Sequence, residues 1–483
     1  VKPNVIIIYA DDLGYGDISI NNGKVPTPNI DKLAKEGLLL SNGHSSSATC
    51  TPSRYSLLTG EYAWRKPGTG IARGNASLII DPEKHTIADL FHQAGYKNAA
   101  FGKWHLGLGG EEGPDWNGEI KPGPLELGFD YSFILPATGD RVPCVYLENH
   151  RIVNLDPNDP IFVDYDKSIP GEPTGEKNPE LLRMQSSHGH NNAIINGIGR
   201  IGHMKGGKSA LWVDEDIAAI LSAKASDFIQ QNKNNQFFIY FATHDIHVPR
   251  TPHSQFIGKS GLGLRGDAIL QLDWTVGQLT KTLDSLGLSD NTLIVFSSDN
   301  GPVLDDGYKD EAVEKLGDHK PSGPIRGSKY SLYEAGTRVP FILTWPAVIQ
   351  AGSKSNALVS QVDLYASFAE LIKGKVDAED AIDSENVLSA FLGKDKKGRT
   401  QLVEHAGTLA IIKDGWKYIA PANGENTGRH KDLGKSKNPQ LYNLTNDLAE
   451  KENVASSNPK LVQELDKLLD EIKAKKTYPS QTK

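Results

Sequence analysis

Four apolar runs, each breaking into a polar cluster at its end, set the tightest limit on how this chain can fold. Residues 4–9, Asn-Val-Ile-Ile-Ile-Tyr, show no polar alternation, as expected of a strand covered on both faces. They end in Ala10-Asp11-Asp12. Residues 98–101 run into Gly102-Lys103-Trp104-His105-Leu106-Gly107, and residues 237–242 into Thr243-His244-Asp245-Ile246-His247-Val248-Pro249. Residues 292–296 run into Ser297-Ser298-Asp299-Asn300-Gly301. Between such runs lie amphipathic stretches, which is the α/β rhythm. The expected fold is α/β, with a large central, mostly parallel mixed sheet flanked by helices. Ligands of open parallel sheets bind at the carboxyl ends of strands, so the four clusters are expected to meet.

A second feature is the run Cys50-Thr51-Pro52-Ser53-Arg54-Tyr55-Ser56-Leu57-Leu58-Thr59-Gly60. Pro52 suits the first turn of a helix, and Arg54, Leu57 and Leu58 continue in helical spacing. Cys50 is thereby expected at the positive end of a helix with a cation one turn on, a setting that welcomes an anion. The bland alternative is a buried structural cysteine at a helix cap.

Asp11, Asp12, Asp299 and Asn300 are hard oxygen donors. Adjacent acids at a strand end repel unless a cation or protons intervene. Calcium, with six to eight oxygen ligands, suits the set, and magnesium is the second choice. Zinc is disfavoured, because the histidines lie in other motifs and no cysteine cluster accompanies them.

The Cys-x-Pro-Ser-Arg run through Thr59-Gly60 resembles the signature of the type I sulfatases, arylsulfatase-like members of the alkaline phosphatase superfamily. The resemblance extends from Asn4 to the segment near Arg338. Asp11-Asp12-Leu13-Gly14-Tyr15-Gly16-Asp17 looks like the family's opening metal motif, and residues 27–34 followed by Gly37 match its first helix. Gly102-Lys103-Trp104-His105 resembles the second signature. His247 and Lys329 fall where the family places a further histidine and a late lysine. Thiol phosphatases differ, with five residues between Cys and Arg where this chain has three.

The resemblance implies sulfate-ester hydrolysis. A maturation enzyme would convert Cys50 to formylglycine, whose hydrated aldehyde attacks sulfur. The implied metal ligands are Asp11, Asp12, Asp299, Asn300 and the modified Cys50, with Ca2+ as the ion. Arg54 would hold the diol and its metal, while Lys103 and Lys329 add positive charge. Asp299 would polarise the attacking hydroxyl, His247 protonate the departing alcohol with help from Lys329, and His105 serve as base for the second hydroxyl. His244 would orient its loop.

Between Pro136 and Leu211 the pattern loosens into Pro, Gly, Asn and Asp, as in loops that build binding sites. Arg141, His188, His190, His203 and Lys205 are candidate contacts to a sulfated saccharide, joined by His405 from the tail. From about Gly393 the character changes. A charged loop at 394–398 precedes short strands near 402–404, 409–412, 416–419 and 441–444. Leu461, Leu465, Leu468 and Ile472 then mark one face of a closing helix. Two domains are expected: a catalytic α/β domain over 1–395, and a C-terminal subdomain over 396–483 with a small antiparallel sheet and packed helix.

The 483 residues can bury a large core. A net charge of −8 argues against nucleic acid, though not against an anionic substrate met by a local cationic pocket. No apolar run approaches the length of a membrane span. Two cysteines make no disulfide framework. The chain opens straight into a strand without a start methionine, as a trimmed product would; since formylglycine maturation accompanies export, the expected location is periplasmic or secreted, in a bacterium. The expected partners are the sulfated saccharide and the maturation enzyme. Two alternatives remain open: a phosphonate monoester or phosphodiester hydrolase of the same superfamily, and a catalytically silent protein that binds sulfated glycans. The oligomeric state is not legible.

Overall fold

A computed structural model of the chain describes residues 2–424 and 432–476. Its centre is a ten-stranded sheet. The strands Thr292–Ser298, Asn4–Ala10, Phe237–Ala242, Lys97–Lys103 and Tyr131–Leu135 lie side by side, all parallel. The four apolar runs are thus four neighbours at the heart of the sheet. Nearly every residue in them is buried, which explains their lack of polar alternation. Phe341–Thr344 and Leu38–Leu40 add antiparallel pairings on one side, and Leu147–Glu148 adds one on the other. The sheet is mixed but mostly parallel.

Helices flank it in two mutually packed groups. Pro28–Lys35, Ile217–Gln231 and Gly263–Ser285 form one, and Cys50–Thr59, Ile87–Gln93 and Leu364–Ile372 the other. The stretch between Pro136 and Leu211 is loop for most of its length, held by small ribbons such as Phe162–Asp164 against His203–Lys205. A separate four-stranded antiparallel sheet follows, Gln401–His405, Leu409–Lys413, Trp416–Ile419 and Gln440–Asn443. The helix Pro459–Ala474 packs on it through Leu465 and Leu469, with Leu461, Leu468 and Ile472 half-buried beside them. Leu469 thus joins the face read from the sequence. The two sheets touch where Ser47 bridges His405 and where Ala48 N–H donates to the His405 carbonyl. The segment that delivers Cys50 therefore leans on the C-terminal sheet.

Candidate active site

Sheet register explains why the four strand ends meet. Tyr9 lies beside Ala242 and Ser297, Ala10 beside Ser298, and Ala242 beside Gly102. Asp11 and Asp12, Lys103, the 243–249 loop and Asp299 consequently leave the sheet at one edge. Cys50 opens the helix Cys50–Thr59, every residue of which is buried; Thr49 before it is extended and Gly60 closes it at φ 69°. In the first turn Pro52 has no N–H and Ser53 N–H donates to the Thr49 carbonyl at 3.4 Å, leaving those of Cys50 and Thr51 without a helical partner. Burial pushes the Cys50 thiol up, against the pull of Lys103 and Lys329, so the unmodified side chain stays a thiol at neutral pH.

Four carboxylates and three cations interlock at this edge, all buried. Arg54 donates from Nη2 to Asp299 Oδ2 at 2.7 Å and lies 3.7 Å from Asp11 Oδ1. Its guanidinium also sits 5.2 Å from the Tyr9 ring centre. Burial would pull Arg54 down, but Asp299 holds it well up. Lys103 donates to Asp11 Oδ2 at 2.7 Å. Lys329 donates to Asp12 Oδ2 at 3.0 Å and to Asp306 Oδ2 at 3.1 Å. Burial pushes Asp11 up. For Asp12, Lys329 and Lys103 outweigh burial and hold the carboxyl down. Asp12, His105 and Tyr330 have φ of 56°, 57° and 74°, a left-handed backbone that costs about 1 kcal/mol or more per non-glycine residue. Three such residues in one site mark a geometry enforced by the surrounding packing.

The donor set fits a hard cation. The nearest ligand atoms of Asp11, Asp12 and His247 lie within 4.8 Å of one another. Asp11 Oδ1 and Asn300 Oδ1 are buried without a hydrogen-bond partner, a costly state for polar atoms. Asn300 turns Nδ2 toward Asp12 Oδ1 at 2.9 Å, and a half-turn of the amide would present its oxygen instead. Asp299 Oδ1 accepts from Asp12 N–H at 3.1 Å, while Oδ2 is paired with Arg54.

Two histidines have one nitrogen committed and one free. His105 Nε2 donates to the Ala72 carbonyl at 2.8 Å, and Nδ1 is buried without a partner. His247 Nδ1 donates to the Val248 carbonyl at 2.5 Å, with Thr138 Oγ1 3.1 Å away, while Nε2 lies 3.8 Å from Asp12 Oδ2. Burial, then Lys103, pushes both well below the usual imidazole range, so both are neutral. His244 is also buried, and burial lowers it to about 4. Its Nε2 donates to the Pro249 carbonyl at 3.3 Å.

The other residues singled out from the sequence divide. Arg141 is mostly buried and holds Asp140 Oδ1 at 3.0 Å. His190 points both ring nitrogens at acceptors, the His188 carbonyl and Asp140 Oδ2, each at 2.8 Å. It must donate from both, so it is an imidazolium, and Asp140 outweighs burial to raise it. With both nitrogens taken, its part is to hold Asp140. His188 lies 2.9 Å from Ser187 Oγ and 3.8 Å from Asp305. His405 borders the segment before Cys50, and burial lowers it. His203 and Lys205 sit on the ribbon opposite Asp164 and Phe162; among the described residues no hydrogen bond or ion pair joins them to the Cys50 cluster. Thr138, Asp140 and Asp306 were not legible in advance. They come from loops without periodicity, and only the fold brings them in.

Comparison with known proteins accords with this geometry. The family described as Sulfatase matches residues 3–374. The chain is 54% identical over 479 residues to an N-acetylgalactosamine-6-O-sulfatase of Bacteroides thetaiotaomicron, spanning 98% of this chain and 94% of the relative. It is 29% identical to human steryl-sulfatase, over 84% of this chain and 72% of that protein. A solved structure from work on glycosaminoglycan metabolism by Bacteroides thetaiotaomicron superposes with a TM-score of 0.97 at 54% identity, covering 98% of this chain and all of that one. The chain belongs to the sulfatase family and is a sulfuric ester hydrolase.

Proposed function

We propose that this enzyme removes the 6-O-sulfate of N-acetylgalactosamine units in a sulfated saccharide, using a formylglycine made from Cys50 and a bound Ca2+. The carrying observation is 54% identity along nearly the whole of both chains to a sulfatase of that specificity. The phosphonate and silent-binder alternatives lack such support. We read residues 1–395 as the catalytic domain and 396–483 as a subdomain buttressing it, and the location as periplasmic or secreted.

As formylglycine, residue 50 supplies a hydrated aldehyde whose hydroxyl is the nucleophile. When bound, Ca2+ would be held by Asp11, Asp12, Asp299, Asn300 and residue 50 and would supply positive charge to the sulfate group. The remaining work falls to side chains of this chain. Arg54 fixes Asp299 Oδ2, leaving that carboxylate oriented to take or polarise the proton of a hydroxyl at position 50. Lys103 and Lys329 neutralise Asp11 and Asp12, and their ammonium groups add to the positive field met by a sulfate, the term that is usually largest. His247 keeps Nδ1–H on Val248; its Nε2 faces the site and serves as the atom that returns a proton to the leaving sugar oxygen. It is neutral when free, and an arriving anion raises its proton affinity. His105 presents a lone pair on Nδ1, because Ala72 holds the proton on Nε2, which is the state a base requires. Arg141, held by Asp140, which His190 holds in turn, is our candidate for a contact to the sugar.

The test is sulfate release from N-acetylgalactosamine-6-O-sulfate, its glucosamine epimer, and N-acetylgalactosamine-4-O-sulfate at matched concentration. The reading requires the first to be preferred in kcat/KM. Preference for either of the others, or for phosphate or phosphonate esters, overturns it.

A further inference from the structure

We propose that Asp17, Arg265 and His319 form a charge-neutral positioning triad that fixes the loop bearing Asp11 and Asp12 against the helix Gly263–Ser285 and the segment leading to Lys329. The proposal rests on the reading that Asp11, Asp12, Asp299 and Asn300 hold a divalent cation. Asp17 lies five residues beyond Asp12, in the same loop, and its carboxylate is saturated. Oδ1 accepts from Arg265 Nη1 and from His319 Nε2, each at 2.8 Å. Oδ2 accepts from Arg265 Nη2 at 2.8 Å and from Gly14 N–H at 2.7 Å. All three side chains are buried.

Each member belongs to a different part of the chain. Asp17 closes the loop that carries Asp11 and Asp12. Arg265 stands on the long helix Gly263–Ser285 and also donates from Nε to the Val303 carbonyl at 3.3 Å, just beyond Asp299 and Asn300. His319 lies on the segment leading to Lys329, whose own N–H donates to the Pro302 carbonyl at 2.8 Å. Contact among these segments is close. A Cβ on Gly14 would stand 2.2 Å from the Pro321 carbonyl oxygen, and one on Gly16 would stand 2.1 Å from that of Lys320. Gly16 N–H donates to Pro321 at 2.8 Å. A shift of the 319–321 segment therefore pushes on the loop bearing Asp11 and Asp12.

The protonation states follow from the partners. His319 Nδ1 accepts from Lys24 N–H at 3.1 Å, so its proton is on Nε2 and the ring is neutral. Asp17 and Arg265 cancel. The triad thus adds no net charge to the pocket and acts through distance, as groups behind metal ligands commonly do. Its loss should weaken cation binding and leave turnover intact once the site is filled.

The experiment titrates Ca2+ into chelator-stripped protein by calorimetry, for wild type, Arg265→Lys, His319→Gln and His319→Leu, with kcat measured at saturating Ca2+. Arg265→Lys keeps the charge but loses the two-pronged grip on Asp17. His319→Gln keeps a donor toward Asp17, and His319→Leu does not. The expected result is Kd raised about tenfold or more in Arg265→Lys and His319→Leu, Kd near wild type in His319→Gln, and kcat within a few-fold throughout. Arg265→Lys alone decides the matter if the leucine variant does not fold. Wild-type affinity in folded Arg265→Lys overturns the triad while the cation reading stands. Stripped wild type that takes up no Ca2+ overturns both.

Discussion

Replacing Lys417 by methionine should destabilise the protein in a strongly pH-dependent way. Lys417, on the strand Trp416–Ile419, is a fully buried cation among three buried carboxylates. Its Nζ lies 3.2 Å from Glu450 Oε2, 3.7 Å from Glu334 Oε1 and 4.0 Å from Glu404 Oε2. His44 faces Glu404 at 2.7 Å from the strand that leads to Cys50. Burial, opposed by Lys417, already puts Glu450 at about 7, so that carboxyl carries a proton for much of the time. Glu334 is the group that changes. Burial pushes it up, but Lys417, His44 and Arg338 together hold it below its usual value.

At 3.7 Å and an effective dielectric of 20, the Lys417–Glu334 attraction is about 4.5 kcal/mol. Without it, Glu334 escapes by binding a proton, at a cost no greater than 1.36 × (pH − 4.3), or about 1 kcal/mol at pH 5 and about 3.7 kcal/mol at pH 7. The upper figure agrees with the roughly 3–5 kcal/mol lost when one partner of a buried pair is removed. The sign follows from linkage. In wild type the depressed Glu334 contributes stability above its unfolded pKa of about 4.3, which is lost as pH falls. In the variant its folded pKa is raised, so stability fully present below the unfolded value of about 4.3 is lost as pH rises toward the folded one. The wild-type contribution is nearly complete by about pH 5, so the rise of the deficit between about pH 5 and pH 7 comes from the variant. Urea unfolding followed by tryptophan fluorescence at about pH 5, 6 and 7 gives the comparison. A deficit that is flat with pH, or below about 1 kcal/mol at pH 7, would refute the reasoning.

Cys50→Ala should abolish sulfate release while leaving the unfolding midpoint close to wild type, checked on the same preparation. His247→Ala should lower kcat by about 10²–10⁴-fold on the saccharide, and much less on an aryl sulfate whose leaving group needs no proton; equal losses on both would count against the acid role. His105→Ala should reduce turnover on both substrates alike, measured as kcat at saturation. Chelation should stop turnover and lower Tm, and Ca2+ at about 100 times its Kd should restore about 2.7 kcal/mol of stability, read by thermal scans with and without the ion.

How much could be read in advance depended on what each part of the site is made from. Asp11, Lys103, His247 and Asp299 were legible because each ends or follows a strand covered on both faces, and such strands announce themselves as unbroken apolar runs. Their convergence follows from parallel register, in which equal positions on neighbouring strands end at one edge. The place of Cys50 at a helix start was legible from Pro52 and the helical spacing behind it, and its role only from the resemblance of the run Cys50 to Gly60 to the sulfatase signature. Asp140 was not, because its role appears only when His190, fifty residues on, donates to it. The pairing of Asp306 with Lys329 and the Asp17–Arg265–His319 triad were hidden for the same reason, since side-chain pairing over long separations leaves no periodic trace. His190 shows the limit from the other side. A histidine in a cationic loop reads as a ligand contact, yet here both its nitrogens face acceptors of the protein itself.

The central claim is that position 50 carries the nucleophile as formylglycine, and the mass of the tryptic peptide spanning residues 36–54 tests it most directly. For protein produced with its maturation enzyme, the account predicts a peptide about 18 Da lighter than the cysteine form, with sulfate release proportional to the fraction converted. Full sulfatase activity in protein whose residue 50 is entirely unmodified cysteine would contradict it.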